Sequence, residues 1–270
     1  IIFHELLTPE EALNKIFSTV KIEPLGTEVV SIEESYGRVL AKDVYSRIDV
    51  PPFDRATMDG FAVRAEDTFG ADELNPIKLR VVGNVETGAE ELPQVNSGEA
   101  VEIATGAPMP PGANAVVMVE YTKRSGDELV IYRSVTPGEN VMSAGSDVMM
   151  GELILRRCTV IREREVGLLA AVGIDKVEVF RRPRVAIIST GNELVSPGKE
   201  LGRGKIYDIN TYTIAHAVRS MGAEPIIMGI VRDNIDEMRN AVNRALGIGD
   251  LVLLSGGTSA GLADLTYRVL

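Results

Sequence analysis

Tryptophan is absent from the 270-residue chain, and aromatic residues of all kinds make up only 5% of it. Surfaces that stack nucleic-acid bases need such rings, and non-specific nucleic-acid binding also needs a basic footprint. The formal net charge is −11, so nucleic acid is set aside as a partner. Cysteine is almost missing too. The single Cys158 cannot form an internal disulfide, and with no signal peptide visible the expected compartment is a reducing cytoplasm. Only His4 and His216 are present, which excludes a zinc site built from His and Cys. No apolar run approaches the length needed to span a bilayer, so no membrane partner is expected.

What is present suits a globular protein of more than one domain. Hydrophobic residues make up 45% of the chain, and its length exceeds that of a single small core. Thr8-Pro9-Glu10-Glu11 has the composition of a helix start, with Thr at the N-cap, Pro at the first helical position and Glu at the third. Ala12, Leu13, Ile16 and Phe17 follow at helical spacing and are expected to be core. Strands are expected over Thr27–Ile32 and Arg38–Tyr45. From about residue 49 to 139 the pattern is strand-rich, with runs at Phe61–Val63, Leu79–Val82, Ala100–Ile103, Ala115–Val119 and Leu129–Tyr132 separated by Gly, Pro and Asn. A helix is expected over Glu163–Val172.

From Arg182 onward the periodicity changes. Val185–Ser189, Pro225–Val231 and Leu251–Leu254 are short runs of consecutive apolar residues, as in strands covered on both faces. Two helical patterns lie between them. One follows Asp208 or Asn210 as N-cap and stops at Gly222. The other follows Asp233-Asn234 and runs to about Leu246. The order β-α-β-α-β predicts a parallel sheet with right-handed crossovers. The fold class is therefore α/β plus β-rich and multidomain. Residues 1–48 and 140–180 are read as a discontinuous N-terminal domain, 49–139 as a β-rich domain and 181–270 as an α/β domain that stops short of a full sheet.

Open α/β sheets hold ligands at the carboxyl ends of their strands, and polar residues gather there. Thr190, Gly191, Asn192 and Glu193 follow the first strand. Arg232 and Asp233 follow the second. Ser255, Gly256, Gly257 and Thr258 follow the third, with Asp264 at the next helix start. Glycines admit an anion to backbone N–H groups, and a helix N-terminus adds partial positive charge, so the last loop suits a phosphate. Three carboxylates repel phosphate unless a cation lies between, which points to a hard, oxygen-liganded metal such as Mg²⁺. The plainer alternative is structural: Asp233 as a helix cap, Glu193 as a turn residue and the Gly-rich loop empty. Neither G-x-x-x-x-G-K-[ST] nor G-x-G-x-x-G occurs.

The segments TGNEL, GKIYDIN, GIVRDN and SGGTSAGLADLT resemble the molybdopterin-binding domain of the molybdopterin molybdenumtransferases, the molybdenum-insertion enzymes related to the E domain of gephyrin. Earlier in the chain PPFDRATMDGFAV, IATGAPMPPGANAVVMVE and AGSDVMMGELI resemble that family's N-terminal signatures, in the same order. The resemblance implies an elongated N-terminal domain used in dimerisation and a β-rich domain that completes the site of the partner subunit. It implies insertion of molybdate into adenylylated molybdopterin with Mg²⁺ and release of AMP. Glu193, Asp233 and Asp264 are then the metal-holding and catalytic carboxylates, with Asp59 joining them across the dimer. Thr105, Thr190, Gly191, Ser255, Gly256, Gly257 and Thr258 would bind substrate. A homodimer is implied, with molybdopterin adenylyltransferase as an upstream partner. A tungstate-inserting paralogue and a non-catalytic pterin-binding or scaffold protein are the alternatives. The family continues beyond the point where this sequence stops, so the chain is expected to be incomplete.

Overall fold

The computed structural model describes residues 7–256 and 269. The chain divides into two compact units. One comprises Asp43–Arg157 and Glu163–Asp175; the other comprises Ile1–Lys42, Cys158–Arg162 and Lys176–Leu270. The boundaries near 48, 139 and 180 read from sequence remain a proposal about domain organisation.

The first unit is built on a six-stranded mixed sheet. Its strands are β1 (Gly60–Val63), β2 (Ile77–Val85), β3 (Glu99–Ile103), β4 (Ala115–Met118), β5 (Thr122–Ser125) and β6 (Glu128–Ile131), in the spatial order β4-β1-β3-β2-β6-β5. Only β2 and β3 run parallel. Side chains alternate between two cores, as a two-residue period requires. Phe61, Val63, Leu79, Leu129 and Ile131 pack on one face. Ala62, Val101, Ile103 and Val116 pack on the other. β5 is the strand that the apolar pattern does not reveal. Its sequence is Thr-Lys-Arg-Ser, and as an edge strand it leaves Lys123, Arg124 and Ser125 exposed, which keeps an open edge from pairing with other chains.

In the second unit the N-terminal helix spans Pro9–Thr19 and begins with the expected reciprocal cap. Thr8 N–H donates to Glu11 Oε2 at 2.8 Å, and Glu11 N–H donates to Thr8 Oγ1 at 3.3 Å. Its apolar face differs from expectation. Leu13, Ile16 and Phe17 are 53%, 53% and 62% exposed, and no residue of the helix is buried. The helix is amphipathic, but among the described residues its apolar face stays largely exposed. The ribbon that follows pairs Thr27–Ser31 with Lys176–Phe180 in antiparallel register. The strand expected over Arg38–Tyr45 shrinks to single bridges at Val39 and Leu40 here and a short strand Val44–Tyr45 in the first unit.

The α/β segment matches its periodicity closely. β7 (Arg184–Thr190), α1 (Asn210–Ser220), β8 (Glu224–Val231), α2 (Ile235–Ile248) and β9 (Leu251–Ser255) follow in chain order. The strands form a parallel sheet in the order β8-β7-β9. β7 is central, and Val185 to Thr190 are all buried. Val185 and Ile187 pack with Ala215 and Val218 of α1. Ala186 and Ile188 pack with Met238, Ala241, Val242 and Ala245 of α2. Each fully buried Ile contributes roughly 2–3 kcal/mol by leaving water. The helices therefore cover opposite faces of β7. The chain leaves β7 for β8 on one side and then returns for β9 on the other. That reversal makes the carboxyl end of β7 a topological switch point, where open α/β sheets bind ligands.

Candidate functional site

In the β-rich unit, the irregular segment before β1 and the loop after β3 are tied together by backbone bonds. Ala56 N–H donates to Ala107 O at 3.0 Å, and Gly106 N–H donates to Ala56 O at 2.8 Å. Asp59 closes the junction. Its Oδ1 accepts the Thr105 N–H at 2.7 Å and the Thr105 Oγ1 hydroxyl at 2.8 Å. These bonds, the backbone one first, hold the Asp59 carboxyl below the usual carboxylate range. Two residues 46 positions apart are thus joined directly. Asp59 borders a cleft of about 490 Å³ lined also by Gly60, Phe61, Asn84, Glu102 and Ala104 among others.

In the α/β unit, Thr190, Gly191, Asn192 and Glu193 leave the end of β7, Asp233 leaves β8, and Ser255 and Gly256 leave β9. Asn192 and Asp233 lock the first two loops together. Asn192 N–H donates to Asp233 Oδ2 at 3.2 Å, and Asp233 N–H donates to Asn192 Oδ1 at 3.3 Å. The helix-cap alternative for Asp233 does not hold, because its neighbour does that work. Asn234 Oδ1 accepts from the N–H groups of Asp236 and Glu237 at 2.9 and 3.1 Å. Among the described residues, Asp233 is left with its Oδ1 buried and without a hydrogen-bond partner. A buried oxygen in that state costs about 1–3 kcal/mol, and it is the group on which a ligand would act.

Glycine is required at two places here. A Cβ on Gly191 would lie 2.7 Å from Glu193 Oε1, at a φ of +154°. The Glu193 carboxylate thus folds back against Gly191, and the positive φ is what favours glycine there. A Cβ on Gly256 would lie 2.4 Å from the Thr190 carbonyl oxygen and 2.7 Å from Thr190 Oγ1, at a φ of +117°. The β9 loop thus passes against β7 at backbone distance. Thr190 Oγ1 also donates to the Ser255 carbonyl at 3.4 Å. Gly257, Thr258 and Asp264 lie outside the described residues. Among the described residues no three His, Cys, Asp or Glu side chains converge as a metal cluster.

Sequence reasoning named Asp208 as a helix cap but missed the layer it builds beneath these loops. Asp208 precedes α1 and is 4% exposed. Its carboxylate accepts from Ser189 Oγ at 3.1 Å, Thr211 N–H at 3.1 Å and Thr211 Oγ1 at 2.6 Å. The N-cap position is occupied by Ile209, which has no capping side chain; Asp208 serves from one residue earlier and braces the last turn of β7. The signal was Asp208 followed three residues later by Thr211, but the reach back to Ser189 is tertiary. Asn192 was noted as polar without its bridging role. At the other end of β7, Asp250 accepts the Arg184 N–H at 2.8 Å and both terminal nitrogens of Arg181 at 3.1 and 3.3 Å. Those bonds, the backbone one largest, lower its pKa.

Comparison with known proteins divides the chain between two family descriptions. Residues 7–173 match the family described as "MoeA N-terminal region (domain I and II)". Residues 186–270 match the one described as "Probable molybdopterin binding domain". A curated "Molybdopterin molybdenumtransferase" of Nostoc sp. is 38% identical over 244 residues, covering 90% of this chain and 56% of that protein. One of the same description from Haemophilus influenzae is 35% identical, covering 98% of this chain and 64% of that protein. A solved structure titled as a molybdopterin biosynthesis MoeA protein from Pyrococcus horikosii superposes with a TM-score of 0.86 at 46% identity. It covers 98% of this chain and 66% of that one. The chain spans about three fifths of the length of the curated relatives it matches. Among the described residues no helix is long and apolar enough to cross a membrane. With the N-terminal match covering most of its length and the pterin-domain match taking up after it, the chain belongs to the MoeA family.

Proposed function

We propose that this chain is part of a protein of molybdenum cofactor assembly that inserts molybdate into adenylylated molybdopterin and releases AMP. The reaction cleaves a phosphoanhydride, which calls mainly for positioning and for compensation of negative charge rather than for a side-chain nucleophile. The observation that carries the reading is the state of Asp233. Its Oδ2 is fixed by the Asn192 amide, and its Oδ1 is buried with no partner among the described residues. This oxygen sits on the rim where the carboxyl ends of three parallel strands meet. The donor set is all oxygen and suits Mg²⁺, which Glu193 and Asp233 would hold together with Asp264. When bound, the ion would neutralise charge on the phosphoanhydride. Gly191 and Gly256 leave the backbone open to a phosphate, and Ser255, Gly257 and Thr258 extend that loop. Thr190 fixes the spacing between the loops through its bond to Ser255.

Asp59 and Thr105 are proposed to act from the partner subunit in a homodimer. The exposed apolar face of the N-terminal helix, with Leu13, Ile16 and Phe17, supports such an association. The expected setting is the cytoplasm, downstream of molybdopterin adenylyltransferase. The test is AMP release from adenylylated molybdopterin with Mg²⁺, with molybdate present or absent, by this chain and by a form extended past Leu270. Molybdate-dependent release is expected from the extended form. Ligand binding without release by both forms would favour a non-catalytic pterin-binding protein. Release driven equally by tungstate would widen the choice of metal. Mixing Asp59→Ala and Asp233→Ala subunits should restore activity if the site is shared. Verified hybrids without activity would remove the shared site.

A further inference from the structure

On the side of β7 facing β8 the α/β unit carries a second feature that the carboxylates do not account for. A cleft of about 720 Å³ opens beside Gly191 and Asn192, and its rim carries Lys199, Lys205 and Arg232. All three are exposed. None makes an ion pair with a carboxylate among the described residues. In a chain with a net charge of −11, three cations around one concavity without compensating acids form a local positive field. A cleft of one sign concentrates that field and raises the local concentration of the opposite ion.

The cleft is held in shape by the protein's own bonds. Strands Leu194–Val195 and Ile206–Tyr207 pair in parallel and enclose the loop that carries Lys199. Tyr207 Oη donates to the Lys199 carbonyl at 3.1 Å, closing that loop. Lys205 Nζ donates to the Asn192 carbonyl at 2.5 Å. Asn192 is also the residue bonded both ways to Asp233. One residue therefore has a lysine on one side and the carboxylate with the unpartnered oxygen on the other. A ligand that bears a metal-bound anion and a second free anion has this polarity.

We propose that Lys199, Lys205 and Arg232 form an anion subsite for a tetrahedral oxyanion, adjoining the carboxylate site at Asn192. Lys199 and Arg232 contact the oxyanion, while Lys205 positions the subsite by anchoring the Asn192 carbonyl. The identity of the oxyanion rests on the function proposed above. It is either a phosphoryl group of the pterin substrate or free molybdate, and the same cationic geometry serves both.

Equilibrium dialysis with inorganic phosphate and with molybdate tests this without any turnover. The wild-type chain is compared with Lys199→Gln/Arg232→Gln and with the charge-retaining Lys199→Arg. Saturable binding of an oxyanion is expected, weakened about tenfold or more in the double variant and kept in Lys199→Arg. Binding of phosphate that molybdate does not displace assigns the subsite to the phosphoryl group. Binding of molybdate that phosphate does not displace assigns it to the free oxyanion. Wild-type affinity in the double variant, or no saturable binding of either anion, overturns the proposal. Loss of AMP release by the extended protein with the dialysis result intact would count against the proposed reaction and leave the anion cleft standing.

Discussion

Asp59 and Asp233 each accept a backbone N–H from a neighbouring loop, the first from Thr105 and the second from Asn192. There the likeness ends. Asp59 takes a second bond from the Thr105 hydroxyl on the same oxygen, and within the β-rich unit these bonds staple two loops, in addition to the role proposed for it at the partner's site. Asp233 keeps one oxygen buried and, among the described residues, bare, a condition that native proteins seldom leave unanswered. Its helix-capping duty has passed to Asn234. The contrast separates a carboxylate that maintains its surroundings from one that its surroundings maintain. The α/β unit supports Asp233 through Asn192, while Asp208 braces the adjoining end of β7 through Ser189 and Thr211.

Substitutions can break or sharpen this comparison. The largest expected effect comes from Gly60→Ala. The added Cβ would lie 2.0 Å from the Val117 carbonyl oxygen on the neighbouring strand, where only backbone can give way. About 3 kcal/mol of stability should be lost, read as a lower urea midpoint, and the Asp59–Thr105 staple should go with it. Asp233→Ala should separate function from stability. AMP release by the extended protein should fall about 100-fold or more. Unfolding free energy should change by less than about 1 kcal/mol, because the lost Asn192 bond is offset by removal of a buried bare oxygen. Thr105→Val removes the hydroxyl donor to Asp59 and keeps the amide. Denaturation should register a loss of about 1 kcal/mol.

The smallest effect is one of pH. Asp59 and Asp250 both have pKa values lowered by folding. The stability they contribute is fully present above the usual carboxylate pKa of about 3.9. It is lost as pH falls through their lowered folded values. Asp250→Asn should therefore be less stable than the wild type at pH 7, and the gap should close as the pH drops below about 4. A gap that stays constant through that range would remove the linkage.

The two regions also differ in how legible they were from sequence. In the α/β segment the apolar runs, Asp233-Asn234 and Gly222 located the three strands of the parallel sheet and the two helices between them to within a few residues, because a strand buried on both faces leaves little freedom in composition; the short pair Leu194–Val195 and Ile206–Tyr207 left no such trace. The strand ends then indicated where polar residues would gather. What did not show was which of two adjacent residues, Asp233 or Asn234, caps α2, since both types serve there. Nor did it show that Asn192 would face both Asp233 and Lys205, which depends on loops from different strands. In the β-rich unit β5 was invisible because an edge strand can be wholly polar. The Asp59–Thr105 pair came from resemblance rather than periodicity, since irregular loops have no period to read. The N-terminal helix shows the opposite failure: amphipathicity identified an apolar face, but it does not state what covers that face.

In the proposed function, Asp233 Oδ1 meets a cation brought with the substrate. The most direct measurement is anomalous diffraction from crystals of the extended protein grown with Mn²⁺, in place of Mg²⁺, and adenylylated molybdopterin. A Mn²⁺ peak within coordination distance of Asp233 Oδ1, with Glu193 beside it, is expected. An ordered ligand with Mn²⁺ elsewhere, and Asp233 Oδ1 still bare, would contradict it.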